Sequence, residues 1–328
     1  MKAVYVKEFG GAENLEVREV EDPPAPENSR VLVRVRAAAL NRADILQRKG
    51  FYPAPAGYPE RILGLEFAGE VVGVGEAVGR FKKGDRVFGI TAGGAQAELL
   101  LTEESLLAEI PENLSFTEAA AVPEAFITAH DAVFSQANLQ AGETLLIHAV
   151  GSGVGLAALQ LAKAKGARVF GTSRTADKLE NCKKFGLDEA VNAKEAENFA
   201  AVIKEKTGGR GVDVILDLVG ASYFGMNLES LALKGRLVLV GLVGGARAEF
   251  NLGTALSKRL KIFGTVLRSR PVAEKAEATQ KFIEEVLPLL AAGKVKPAVD
   301  KVFPFEEVQN AHRRLESNES FGKIVLEL

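Results

Sequence analysis

The chain has 328 residues, enough for two domains of ordinary size, each with its own core. Hydrophobic residues make up 47% and charged residues 26%, and the formal charge of −2 excludes a whole-chain field directed at nucleic acid or an anionic membrane. A lone cysteine, Cys182, excludes an intramolecular disulfide or a cysteine-rich zinc module, and the three histidines (His130, His148, His312) are too far apart to form a metal-binding pair.

The chain opens on MKAVYVKEFGG, a strand-like alternation carrying Lys2, Lys7 and Glu8 rather than the apolar region of a secretory signal, so cytoplasmic residence is expected. KAVYVKE, NLEVREVE, RVLVRVRAAAL, AGEVVGVG, DRVFGI and AQAELLL follow as strands, separated by Gly, Pro, Asn and Asp clusters, and predict a β-rich, barrel-like unit over about the first 110 residues. Within it, LNRADILQRKGFYP places Asn41 to cap a short helix and Asp44 three residues on to close a capping box.

From SFTEAAAVPEAFITAHDAVF onward the pattern becomes helical, then alternates. ETLLIHAV, ARVFGTS, AVNA, VDVILDLVG and RLVLVGLV read as strands. VGLAALQLAKAKG, ADKLENCKKFG, AENFAAVIKEKTGG and SYFGMNLESLALKG read as the helices between them. Repeated β-α-β of this length predicts a parallel sheet covered on both faces. Two further helices, AEKAEATQKFIEEVLPLLAAGK and FEEVQNAHRRLESN, precede a last strand, KIVLEL, expected to return to the first domain. No segment is apolar for long enough to span a membrane.

HAVGSGVG lies where the first strand of the parallel sheet turns into its helix, and glycines there let the backbone approach a pyrophosphate at the helix N-terminus. The spacing departs from G-x-G-x-x-G: Gly151, Gly153 and Gly155 alternate, with Ser152 where the middle glycine would stand. A carboxylate at the end of the second strand would bind the ribose hydroxyls of NAD. Here the residues are Gly171, Thr172, Ser173 and Arg174, and Arg174 with Lys178 suits the 2′-phosphate of NADPH.

GLEFAGEVVGVGEAVGRFKKGDRVFG, residues 64–89, resembles the G-x-E-x-x-G and V-G-x-x-V-x-x-F-x-x-G-D-R-V of the medium-chain dehydrogenase/reductase superfamily. With NRADILQRKGFYP, PEAFITAHDAVF, LIHAVGSGVG, LDLVG and FGKIVLEL, the whole chain resembles the zinc-free, zeta-crystallin-like quinone oxidoreductases. It is most similar to their tumour-suppressor-inducible branch through LLIHAVGSGVG, GLVGG and VLRSR.

The resemblance implies an α/β architecture, with a GroES-like catalytic domain over residues 1–124 and 266–328 and a doubly wound Rossmann domain for NADPH over 125–265. It places Asn41 and Leu65 where zinc-dependent relatives carry a cysteine and a histidine, so no metal is expected. It implies a catalytic set of Asn41, Asp44 and Tyr52: Asn41 to orient a carbonyl, Tyr52 to donate a hydrogen bond or proton, and Asp44 to hold Tyr52, an arginine or a water chain.

The same resemblance places Thr128, Leu267, Arg268 and Ser269 near the nicotinamide. It gives Gly151, Ser152, Gly153 and Val154 to the pyrophosphate, sets Gly220, Gly241, Leu242 and Val243 at strand ends bordering the cofactor, and puts Lys323 near the adenosine phosphate. Ala193 and Leu46 depart from relatives that carry larger polar or aromatic groups there. The implied activity is reduction of a quinone by NADPH in a homodimer, with reduction of an enone or 2-alkenal as the alternative. Relatives that bind RNA or serve as structural lens proteins represent a different class, which the absence of a basic run with interleaved aromatics disfavours.

Overall fold

The computed structural model describes residues 1–196 and 198–328. Among them two compact units form, one from Met1–Ile127 with Leu267–Leu328, the other from Thr128–Val266.

In the first unit β1 (Lys2–Val6) pairs antiparallel with β2 (Leu15–Glu19). β3 (Arg30–Ala39) follows, and its alternation puts Val31, Val33 and Val35 into the core. The chain then runs through α1 (Arg42–Arg48), β4 (Glu66–Val74), β5 (Arg86–Ile90), β6 (Leu99–Glu103), β7 (Leu107–Glu109), α2 (Phe116–Ala120) and α3 (Pro123–His130). The short strand β7 was not anticipated from the sequence.

The second unit alternates strictly: β8 (Thr144–Ile147), α4 (Gly153–Ala164), β9 (Arg168–Ser173), α5 (Ala176–Lys183), β10 (Glu189–Asn192), α6 (Phe199–Lys206), β11 (Val212–Asp217), α7 (Ala221–Ser230), β12 (Leu231–Leu239), α8 (Leu252–Lys258) and β13 (Lys261–Gly264). All pairings in this sheet are parallel, in the order β10-β9-β8-β11-β12-β13. β8 and β11 are buried throughout, as central strands covered by helices on both faces must be. This is the doubly wound nucleotide fold, and its order reverses between β8 and β11, the switch point at which such sheets bind ligands.

One predicted helix is shorter than its sequence suggested. SYFGMNLESLALKG ends as a helix at Ser230, and Leu231 enters β12 with extended backbone. Lys234, at φ +62°, then takes the chain through an irregularity before Arg236 resumes pairing with Val214.

The chain returns to the first unit through α9 (Val272–Glu285), α10 (Leu287–Ala291), β14 (Val299–Pro304), α11 (Val308–Glu316) and β15 (Lys323–Glu327). β15 lies between β14 and β3, parallel to the first and antiparallel to the second. α11 anchors α1 through the fully buried Arg48. Its guanidinium pairs with Glu316 at 2.7 Å, donates to the Gly10 carbonyl at 3.1 Å and meets His312 Nδ1 at 3.3 Å. Burial and the Arg48 charge push His312 down to about 3, so its imidazole is neutral and accepts through Nδ1. Among the described residues no helix is long and apolar enough to cross a membrane.

Candidate active site

In the second unit β8 ends in a tight turn with Ala149 at φ +48°, and Ser152 caps α4 by accepting the Gly155 N–H at 3.1 Å. Gly155 is required by packing: a Cβ there would lie 2.6 Å from the Val150 carbonyl oxygen and 2.7 Å from that of Ala149. The N–H groups of Gly153 and Val154, in the first turn of α4, have no acceptor among the described residues, and both residues are partly exposed. Unpaired donors at the positive end of a twelve-residue helix fit a pyrophosphate.

At the end of β9, Ser173 accepts the Thr175 N–H at 3.2 Å, and Arg174 is exposed, its charge reaching Tyr223. Lys178 lies one turn further on, in α5. Cys182, in the same helix, is buried and its thiol is pushed up to about 12, which makes it a packing residue rather than a nucleophile.

A buried chain of hydrogen bonds beneath the loop was missed in the sequence. Asp217, last in β11, accepts the N–H groups of Val219 and Gly220 at 2.7 and 2.9 Å through one oxygen and the Asn227 amide at 2.9 Å through the other. Asn227 must therefore present its oxygen to His148 Nε2, 2.6 Å away, which fixes the proton there and leaves Nδ1, 2.8 Å from Thr172 Oγ1, as the acceptor. The network ties the ends of β8, β9 and β11 to α7. Gly220, at φ +92°, caps α7, and a side chain on Gly241 would meet the Leu218 carbonyl at 2.6 Å. Beyond Gly241, Leu242 and Val243 are exposed.

In the first unit the capping box at α1 forms, with the Asp44 carboxylate accepting the Asn41 N–H at 2.7 Å. Its other oxygen accepts the Gly64 N–H at 3.0 Å. Both Asp44 oxygens thus serve backbone donors and fix α1 against the Gly64 turn, while its charge and that of Arg268 act on one another. Burial raises Asp44 to about 6 in spite of these bonds.

The Asn41 side chain is also committed. Its amide donates to Glu66 Oε1 at 2.9 Å and its oxygen accepts from Lys323 Nζ at 2.6 Å, so it braces a buried network. The expectation for Lys323 is corrected. Its ammonium donates to Leu40 O at 2.8 Å and to Asn41, and pairs with the buried Glu66 at 2.5 Å, leaving no proton for an adenosine phosphate. Nothing local in the sequence signals this lysine's role, because its partners lie more than 250 residues away.

Arg268, expected at the nicotinamide, is buried and acts as a clamp. It donates to Ala92 O at 2.8 Å, Tyr52 O at 3.2 Å and Gln47 Oε1 at 2.5 Å, and lies 4.9 Å from the Tyr52 ring centre. Leu267 is buried beside it and Ser269 is exposed. Tyr52 is half-buried, its hydroxyl has no partner among the described residues, and burial pushes its ionisation upward, so it remains a neutral donor. Leu46 is 40% exposed on the same helix as Asp44.

Residues 27–128 match the family model described as alcohol dehydrogenase GroES-like domain, and residues 153–287 the one described as zinc-binding dehydrogenase. The chain is 34% identical over 328 residues to the quinone oxidoreductase of Rattus norvegicus, spanning 99% of this chain and 97% of that protein. It belongs to the quinone oxidoreductase family of medium-chain dehydrogenases/reductases. The solved Escherichia coli quinone oxidoreductase complexed with NADPH is similar to this family member over 100% of both chains, with 32% identity and a TM-score of 0.89. The acryloyl-coenzyme A reductase of Metallosphaera sedula is 32% identical over 353 residues, 99% of each chain.

At Asn41 and Leu65 the described residues offer no donors for the metal in the second model's description. The Asn41 amide is tied to Lys323 and Glu66, and Leu65 is apolar and buried. Among the described residues no group of three or more His, Cys, Asp or Glu side chains is placed to hold an ion.

Proposed function

We propose that the chain is a zinc-independent, NADPH-dependent quinone oxidoreductase. The observation that carries the reading is the pairing of unpaired N–H groups at the start of α4 with a strand end that offers Ser173 and Arg174, followed by Lys178 in α5, where NAD enzymes place a carboxylate. Gly151, Ser152, Gly153 and Val154 would hold the pyrophosphate and Arg174 with Lys178 the 2′-phosphate. Thr128, Gly220, Gly241, Leu242, Val243, Leu267 and Ser269 would border the cofactor. The nicotinamide, when bound, supplies the electrons as hydride.

The protein's contribution on the substrate side is to stabilise charge on oxygen. Tyr52, clamped by Arg268, keeps its hydroxyl free to donate to a quinone carbonyl, and the Asn41–Lys323–Glu66 network holds α1 beside that segment. Tyr52→Phe is expected to lower kcat about tenfold, the range for one hydrogen bond to a charged oxygen. Full turnover by the variant would remove Tyr52 from the chemistry.

Reduction of an enone is the second reading, favoured by the kinship with an acryloyl-coenzyme A reductase. Relative kcat/KM for a quinone and an enal separates the two. We also place the protein in a homodimer. β13 has β12 as its sole strand neighbour among the described residues, and Leu252 and Leu256, one turn apart on α8, are 72% and 80% exposed. A monomeric sedimentation profile at micromolar concentration would refute it. A buried, unpaired thiol at Cys182 suits the reducing cytoplasm.

A further inference from the structure

Helix α3 buries all but two of its residues. Glu124 and Thr128, one turn apart on one face, keep partial exposure. The Glu124 carboxyl makes no hydrogen bond or ion pair among the described residues, although its own N–H is held by Glu66 Oε2 at 2.8 Å. Two of the cations nearby are already spent, Lys323 on Leu40, Asn41 and Glu66, and Arg268 on Ala92, Tyr52 and Gln47, while a third, the buried Lys275, lies over the Tyr58 ring and meets its hydroxyl at 3.5 Å without pairing with Glu124. Glu124 therefore stands beside the carboxylate of Glu66 with no ion pair of its own among the described residues.

Accordingly, we propose that Glu124 is the general acid of the reaction, a catalytic residue that gives its proton to the substrate oxygen as the quinone is reduced. The inference rests on the quinone reductase reading above. The quinone accepts hydride and with it two electrons. The Glu124 O–H bond breaks, an O–H bond forms on the oxygen that has gained negative charge, and water returns a proton to the carboxylate. The sum is one quinone, one reduced nicotinamide and one proton converted to one hydroquinone and one oxidised nicotinamide.

Electrostatics suits Glu124 to this role. Burial, with Glu66 and Asp44, raises its carboxyl to about 8, while Lys323 and Arg268 pull it down by less. Tyr52 and Lys275 in turn feel the Glu124 charge. At neutral pH it is a neutral acid poised near the operating pH, whereas Tyr52, raised above 10, holds its proton too tightly to lead.

Glu124→Gln preserves shape and removes the acid, and Glu124→Asp keeps the acid on a shorter arm. The expected result is a fall in kcat of about 100-fold for the glutamine variant, with KM nearly unchanged and the alkaline limb of the kcat profile abolished, and partial recovery in the aspartate variant. Independently of turnover, infrared difference spectra of the cofactor-free protein should show a neutral carboxyl band that disappears as pH rises through about 8 and is absent from Glu124→Gln. A kcat within twofold of wild type with the same pH profile, or a carboxyl band already gone at pH 6, overturns the assignment. Failure of the wild type to turn over quinones and enals alike would instead sink the proposed function, and the proton step with it.

Discussion

Replacing Lys323 by Met tests the buried network that carries Asn41. Lys323 is 6% exposed and Glu66 is fully buried, with Nζ and Oε1 2.5 Å apart. The substitution keeps the aliphatic stem, strands the Glu66 carboxylate and removes the donor for Leu40 O and Asn41 Oδ1. Removing one member of such a pair costs about 3–5 kcal/mol, most of it the penalty of an uncompensated buried charge. Urea unfolding followed by circular dichroism should lose that amount. Lys323→Met combined with Glu66→Gln should recover at least half, because the stranded charge goes with it. NADPH affinity should stay within twofold, since the lysine's protons are spent inside the first unit. A loss below about 1 kcal/mol, additive single effects, or a tenfold loss of NADPH affinity would each refute the reasoning.

Gly155→Ala places a Cβ 2.6 Å from a backbone carbonyl oxygen, so it should abolish nucleotide binding or cost about 2 kcal/mol or more; calorimetric titration with NADPH decides. Arg174→Ala should weaken NADPH about tenfold and leave NADH unchanged, and an equal loss for both would defeat the 2′-phosphate assignment. Glu124 also predicts a pH-dependent stability. The folded chain keeps a proton that the unfolded chain releases above 4.5, so the wild type should lose stability relative to Glu124→Gln as pH rises toward about 8, by at most about 1.4 kcal/mol per unit, and no further beyond it. Melting curves of the two proteins that run parallel from pH 5 to 8.5 would contradict this.

The alternation of strands and helices in the second unit was legible because each element carries a periodicity of its own and the turns between them are marked by glycine. β13 and β14 are short, half-exposed strands whose pairing is decided by their neighbours. α7 overran in the sequence reading because LALKG has helix-forming residues that tertiary pairing with β11 draws into a strand. The glycine loop and the Arg174 strand end were readable from local spacing.

Much of the remaining site is made by distance. Lys323 meets Leu40 and Asn41 across 283 and 282 positions, and His148 finds Asn227 across 79. The Glu124 environment arises where three carboxylates and their cations converge in the fold. PEAFITAH carries the glutamate, but nothing in its local spacing singled it out; only the fold leaves Glu124 and Thr128 as the partly exposed residues of α3.

The most direct test of the central claim is a steady-state assay with purified protein, NADPH and a simple quinone, run before and after exhaustive treatment with a strong zinc chelator. The account predicts oxidation of NADPH that requires the quinone, yields hydroquinone, proceeds faster than with NADH at equal low concentration and is unchanged by the chelator. No quinone-dependent oxidation, or activity lost with the chelator and restored by zinc, would contradict it.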